Sequence, residues 1–182
     1  MRLGFDLDKV LIDYPPFIPD DLINRLYKKN SSKNLMYRMP SLPEQIVRQI
    51  SHSTIFRPPL QDNMEFLKKV AKHNKVFLIS SRFHFLEKQT ERITKKLGLD
   101  LIFDGMYFNY TNLQPHVFKE EVLGSLKLDK YIDDDLALLT HVSKHIKKTQ
   151  FYWLDNKSKS QRLPRNITRI LEISQMMGKP KA

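Results

Sequence analysis

The chain contains no cysteine, so disulfide frameworks, thiolate metal centres and cysteine nucleophiles are excluded, and any bound metal must be held by oxygen or imidazole. Glycine is sparse, at 5 of 182 residues, and proline, at 10, is no more than ordinary, which argues against a disordered chain. No apolar run approaches the ~20 residues that a spanning helix needs, and strand-like sequence begins at once instead of a signal segment. The expectation is a cytoplasmic protein without a membrane partner. Acidic residues are outnumbered, since 20 Asp+Glu against 31 Lys+Arg leave a net charge of +11. Such an excess attracts phosphates without any sequence recognition. However, the lysines recur on nearly every predicted helix (Lys28-Lys29, Lys68-Lys69, Lys95-Lys96, Lys147-Lys148), and no RNA-binding or helix-turn-helix signature accompanies them. Solvated helix faces account for most of the charge, leaving nucleic acid a possible partner but not the favoured one.

What is present is the composition of an ordinary folded protein, 41% hydrophobic and 28% charged. The length suits one sizeable core with a small inserted subdomain, and is short for two independent domains.

The stretch Arg2-Leu-Gly-Phe-Asp-Leu-Asp8 runs an apolar strand pattern into two alternating carboxylates. Alternate residues of a strand point to the same side, so Asp6 and Asp8 emerge together from the end of Leu3-Gly4-Phe5. Two carboxylates so placed can share a divalent cation. If one attacks an electrophile while the other handles a proton, a single turn supplies both nucleophilic and acid/base catalysis.

Along the chain, Asp13-Tyr-Pro-Pro16 breaks regular structure and the next forty or so residues read as an insertion. Within it, a helix is expected from Pro19-Asp-Asp21 to about Lys29, with Asp20 as N-cap. A second helix is expected from Ser41-Leu-Pro-Glu44, a capping box with proline just inside, to about Ile50. Asp62 to about His73 carries a helical apolar stripe, and Lys75-Val-Phe-Leu-Ile79 reads as a buried strand ending in Ser80-Ser81-Arg82. A helix from about Phe83 to Leu97 should stop at Gly98, followed by a short strand or strand pair, Leu101-Ile-Phe103 with Met106-Tyr-Phe108. Next come a helix near His116 to Leu126 carrying Lys119, a strand Lys130-Tyr-Ile132 ending in Asp133-Asp134-Asp135, and a helix through about Ile146. A strand Gln150–Leu154 and a final helix from about Asn166 to Met177 complete the chain. Alternating strands and helices predict an α/β fold, a doubly wound, mainly parallel Rossmann-like sheet.

In such a sheet ligands bind beyond the carboxyl ends of the strands. Asp6 and Asp8, Ser80, and Asp133 with Asp134 all follow strands, and Lys119 lies on the helix feeding the last of these. This ordered set resembles the haloacid dehalogenase-like (HAD) superfamily, whose motifs are Asp-x-Asp after the first strand, a Ser/Thr, a Lys and a terminal acidic pair. The likeness covers essentially the whole chain. It implies a catalytic core from residues 1–13 and 58–182 and a small helical cap from residues 14–57. It also implies Asp6 as nucleophile, Asp8 as acid/base, Ser80 as the phosphate-binding hydroxyl and Lys119 as the cation that steadies nucleophile and phosphoryl group. Asp6, Asp8 through its backbone carbonyl, and Asp134, with Asp133 next in choice, would hold Mg2+, with Ser81, Arg82 and Lys9 near the substrate. The family commonly has Gly or Asn where Lys9 stands here.

The implied activity is a magnesium-dependent phosphatase acting on small phosphate monoesters. The inserted cap and Leu78-Ile-Ser-Ser-Arg82 are similar to the deoxyribonucleotidase branch, which implies nucleoside monophosphates as substrates. Tyr14, Phe17, Tyr37 and Phe56 could stack on a base, and Arg38, Arg57 or Arg82 could hold an anion. Two other readings compete: a non-catalytic phosphate- or nucleic-acid-binding protein on the same fold, and a phosphatase of nucleic-acid ends. Finally, His141-Val-Ser-Lys-His145 puts two imidazoles one helical turn apart, as in zinc-binding helices, but has no glutamate after the first histidine and no evident third ligand. A surface pair is expected there.

Overall fold

A computed structural model of the chain describes residues 1–15, 35–157 and 161–178. The expected helix from Pro19 to Lys29, with Phe17 and Lys28-Lys29, lies outside the described residues.

Six strands form one all-parallel sheet: β1 (Arg2–Phe5), β2 (Lys75–Ser80), β3 (Gly105–Phe108), β4 (Lys130–Asp133), β5 (Gln150–Leu154) and β6 (Ile167–Ile170), in the order β3-β2-β1-β4-β5-β6. The helices are α1 (Leu42–Ser51), α2 (Gln61–Ala71), α3 (Glu87–Lys96), α4 (Pro115–Leu126) and α5 (Leu136–His145). Both faces of the sheet are covered, which explains why the central strands read as continuous apolar runs. Alternate residues feed two cores. Leu3, Phe5, Val76, Leu78, Ile132 and Tyr152 pack with Met64, Leu67 and Val70 of α2 and Ile93 of α3. Phe77, Ile79, Tyr131, Phe151 and Trp153 pack on the opposite face with Phe118 and Leu123 of α4 and Leu138, Leu139 and Val142 of α5.

Gly4 sits where β1 is most crowded. A Cβ built there would lie 2.3 Å from a Leu128 methyl and 2.8 Å from the Tyr131 ring, so any larger residue would force those side chains to shift. Local signals set the helix ends. The Glu44 carboxylate accepts from the Ser41 N–H at 2.7 Å and from the Ser41 hydroxyl at 2.8 Å, Asp135 caps α5 by accepting from Ala137 and Leu138, and Gly98 ends α3 in the left-handed region at φ 63°.

Two expectations are corrected. Leu101 is not in a strand: Leu99–Leu101 is a 3₁₀ turn with Leu101 exposed and Phe103 buried, and of the two expected segments only the second is a strand, Gly105–Phe108, which pairs with β2. The final helix from Asn166 to Met177 is also absent. Ile167–Ile170 instead forms the edge strand β6 beside β5, and Ile173–Met176 is a 3₁₀ turn. Ile167, Ile170 and Ile173 recur every third residue, which mimics a helical stripe, but β-branched side chains favour a strand when an open sheet edge is available. No described helix is long and apolar enough to cross a membrane. The lysines at 68, 69, 95, 96, 147 and 148 are exposed on or beside helices, as solvated faces require.

Candidate active site

The strand order reverses direction between β1 and β4, so the crevice for a ligand opens beyond their carboxyl ends. Asp6 follows β1 directly, with its N–H donating to the Ile132 carbonyl of β4 at 3.0 Å. Ser80 ends β2 and Asp133 ends β4, both almost fully buried. α4 lies against the second core and delivers Lys119 from the side.

Lys119 is 2% exposed and donates to Asp6 at 2.7 Å and to Asp133 at 2.5 Å. Burial alone would pull its pKa down, but the Asp133 and Asp6 carboxylates outweigh burial and push it well up, so the ammonium stays charged. Asp133 also accepts from the Tyr131 hydroxyl at 2.9 Å and from the Asp135 N–H at 3.0 Å. This anchor fixes Lys119 in turn.

Carboxylate oxygens of Asp6, Asp133 and Asp134 lie within 4.8 Å of one another. Burial, with Asp133 and Asp8 adding repulsion against the pull of Lys119, raises the Asp6 pKa to about 7. Burial and the neighbouring Asp133 and Asp6 charges push Asp134 up as well. Three acids against one lysine leave uncompensated negative charge, and an oxygen-only donor set suits magnesium, which keeps several waters and needs few carboxylates. The residues present therefore fit that ion.

Asp8 stands apart from this cluster. Arg82 grips it bidentately, at 2.8 Å to each oxygen, and Arg57 donates at 2.9 Å. Burial would raise the Asp8 pKa, but Arg82 and Arg57 outweigh it and hold the carboxyl far below its usual range. Behind Arg57, the buried His52 accepts from the guanidinium through Nε2 at 2.7 Å while its Nδ1 lies 2.8 Å from the Arg48 carbonyl. Burial and the two arginines push the His52 pKa well down, so a neutral ring donating from Nδ1 satisfies both contacts.

The surrounding cavity has a volume of about 120 Å³ and includes Asp6, Asp8, Ser80, Ser81, Arg82, Lys119, Asp133 and Asp134 in its lining. Lys9 does not line it. Its ammonium pairs with Asp13 at 2.7 Å and lies over the Tyr14 ring at 4.5 Å. Its backbone explains why glycine or asparagine commonly fills this position: Lys9 has φ 60°, the left-handed region that those types enter most readily.

The Asp13 N–H donates to the Pro58 carbonyl at 2.9 Å, so the two ends of the segment between them lie side by side. Between those points Tyr14, Tyr37, Arg38, Arg48 and His52 reach the cavity, whereas Phe56 is not in its lining. The Tyr37 hydroxyl donates to Asp135 at 2.7 Å, and the Tyr37 backbone exchanges hydrogen bonds with the Gln114 side chain. The sequence offered no signal for the His52–Arg57 pairing or for Phe83 and Phe85, which line the cavity from the loop after β2. An aromatic three or five residues past a strand end is indistinguishable, in sequence, from the start of a buried helix.

No protein-family model matches the chain, and no curated protein matches it in sequence. Solved structures do. A haloacid dehalogenase-like family hydrolase from Xanthomonas campestris aligns at a TM-score of 0.59 with 14% identity, covering 96% of this chain and 91% of that one. A HAD family enzyme from Bacteroides thetaiotaomicron, solved as an Asp-to-Ala mutant in complex with magnesium and inorganic phosphate, aligns at 0.53 with 15% identity, covering 87% and 95%. A chain of the Pnkp1/Rnl/Hen1 RNA repair complex aligns at 0.55 with 16% identity, covering 84% of this chain, which spans only 42% of that protein's length. The chain has the fold of the HAD-superfamily hydrolases.

Proposed function

We propose that this HAD-fold chain is a magnesium-dependent phosphatase that hydrolyses phosphate monoesters through an aspartyl-phosphate on Asp6. The observation that carries the reading is the joining of Asp6 and Asp133 by the buried Lys119 at the β1/β4 crevice, with Asp134 completing the acidic cluster.

Asp6 and Asp134, with the backbone carbonyl of Asp8, would hold Mg2+, which supplies charge neutralisation for the phosphoryl oxygens. Lys119 steadies Asp6 as an ionised nucleophile and adds positive charge where it develops on the transferring group. The donors around Ser80 and Ser81 receive the remaining phosphoryl oxygens. Asp6 attacks phosphorus, the ester oxygen leaves with a proton from Asp8, and Asp8 then takes a proton from the water that opens the acyl-phosphate. Asp8 must first gain that proton, which its two arginines oppose. An incoming phosphate dianion competes for the Arg82 guanidinium, which lines the cavity, and drawing Arg82 away returns Asp8 toward an ordinary carboxyl.

Residues 14–57 act in this reading as the cap. Support comes from the side-by-side pairing of its two ends at Asp13 and Pro58, and from the cavity-lining side chains that this segment contributes. Its Tyr14, Arg38 and Arg48, together with Phe85, which also lines the cavity, suit a flat, anionic substrate, favouring nucleoside monophosphates. A second reading, a phosphatase of nucleic-acid ends, is favoured by the +11 charge and by likeness to a chain of an RNA repair complex.

Comparison of kcat/KM for deoxynucleoside monophosphates, sugar phosphates and end-phosphorylated oligonucleotides, with magnesium at fixed salt, tests the substrate. Stacking is worth ~1–3 kcal/mol per base, so a nucleotide should lead a sugar phosphate by roughly tenfold, and Phe85→Ala should shrink that lead. Equal values for nucleotide and sugar phosphate would remove the nucleotidase reading. A clear lead for the oligonucleotide would promote the second.

A further inference from the structure

The histidine pair on α5 has a third partner that its own helix does not contain. Glu120, one residue beyond Lys119 on α4, faces the pair across the α4–α5 contact. A single carboxylate oxygen, Oε2, lies 3.0 Å from His141 Nε2 and 3.1 Å from His145 Nδ1. One potential ligand atom from each of the three residues lies within 4.8 Å of the others.

We propose that Glu120, His141 and His145 form a zinc-class metal site that clips α4 to α5, separate from the acidic cluster at the strand ends. The donor chemistry separates the two sites. Two imidazole nitrogens with one carboxylate suit zinc, cobalt or nickel, whereas the oxygen-only set of Asp6, Asp133 and Asp134 suits magnesium. The geometry also fits. Ligands at ~2.0–2.1 Å from a tetrahedral zinc lie roughly 3.3 Å apart, close to both Glu120–histidine separations, so the carboxylate and either ring can serve one ion with small rotations. A water would fill the fourth position.

The supporting residues restrain the ligands. His116, one turn before Glu120 on α4, packs its ring against His141 at 4.6 Å between centroids and 70° between planes, and also stacks on Tyr37 at 6.2 Å. Tyr37 bonds to Asp135, the cap of α5. The site thus joins the helix that carries Lys119 to the helix that begins just after Asp134. A metal here would act as a positioning clip rather than as part of the chemistry.

The test uses the full chain, stripped of metal and held in excess Mg2+ so that oxygen sites are satisfied. Zn2+ is titrated calorimetrically and Co2+ by visible absorption, which reports a four-coordinate nitrogen and oxygen site. One equivalent of Zn2+ should bind, raise the Tm and produce the cobalt bands. Loss of an outer-shell partner alone costs ~10–100-fold in metal affinity, so loss of a ligand in His145→Ala or Glu120→Gln should weaken binding by at least about tenfold. Both side chains are partly exposed, so these variants should fold, which their metal-free Tm checks. Asp6→Asn should bind Zn2+ as the unaltered protein does. Absence of Zn2+ uptake in Mg2+, uptake unchanged in both His145→Ala and Glu120→Gln, or uptake lost in Asp6→Asn would overturn the site.

Discussion

Arg57 donates to the Asp8 carboxylate at 2.9 Å from 49 residues further along the chain, tying the segment just before α2 to the turn after β1. Arg82 makes two bonds to the same carboxylate and Arg57 one, and both guanidinium groups are buried. Removing either partner leaves Asp8 less compensated, but Arg82→Ala leaves it the worse served. Arg82→Ala should therefore cost about 3–5 kcal/mol and Arg57→Ala about 1–3 kcal/mol, since the remaining bidentate pair still neutralises the carboxylate. Urea unfolding of the two variants beside the parent checks the order, and the reverse order would contradict this account of Asp8.

Gly4→Ala tests the packing beneath the site. The added methyl meets Leu128 and Tyr131 at distances that no side chain tolerates, and Tyr131 is the residue whose hydroxyl anchors Asp133. Overpacking of this kind costs ~1–3 kcal/mol, and displacement of Tyr131 should reduce turnover as well. A variant with unchanged Tm and unchanged activity would show that the ring is not held as described.

The acidic cluster makes stability depend on pH in a direction that magnesium should reverse. The folded Asp6 has its pKa raised from 3.8 to about 7, so between those values the folded state binds more protons than the unfolded one. Stability without metal therefore falls as pH rises through that window. His52 acts oppositely, because its depressed pKa lowers stability as pH falls through its ordinary value of 6.5. The informative quantity is thus the rise in Tm produced by magnesium at each pH. It should be small near about pH 5, where the Asp6 carboxyl is protonated, and larger near about pH 8. A rise independent of pH, or greatest in acid, would contradict the assignment of the ion to this cluster.

Much of this architecture was legible because local and global signals agree. The Ser41-x-x-Glu44 box, Gly98 and the apolar run before Ser80 each occur at an element boundary, and the strand ends bring Asp6, Ser80 and Asp133 to one crevice. The C-terminal segment misled because three isoleucines at every third position have the spacing of a helix, while the open edge of β5 that captures Ile167–Ile170 is a tertiary fact. The partners of Asp8 were legible only in part. Arg57 and Arg82 were identifiable as anion binders, but nothing local reveals that the anion they hold is Asp8 itself, nor that His52 stands behind Arg57. Likewise the histidines of α5 lacked a third ligand until α4 brought Glu120 beside them.

The nucleophilic role of Asp6 is the centre of the account, and chemical trapping addresses it most directly. The protein is mixed with Mg2+ and a phosphate monoester that it turns over, quenched during turnover, and reduced with borohydride, which converts an aspartyl-phosphate to homoserine while leaving a free carboxyl intact. Mass spectrometry of the N-terminal peptide should then show homoserine at position 6 only when substrate was present, and Asp6→Asn should give neither the modification nor phosphate release. Turnover that leaves position 6 unmodified and persists in Asp6→Asn would contradict it.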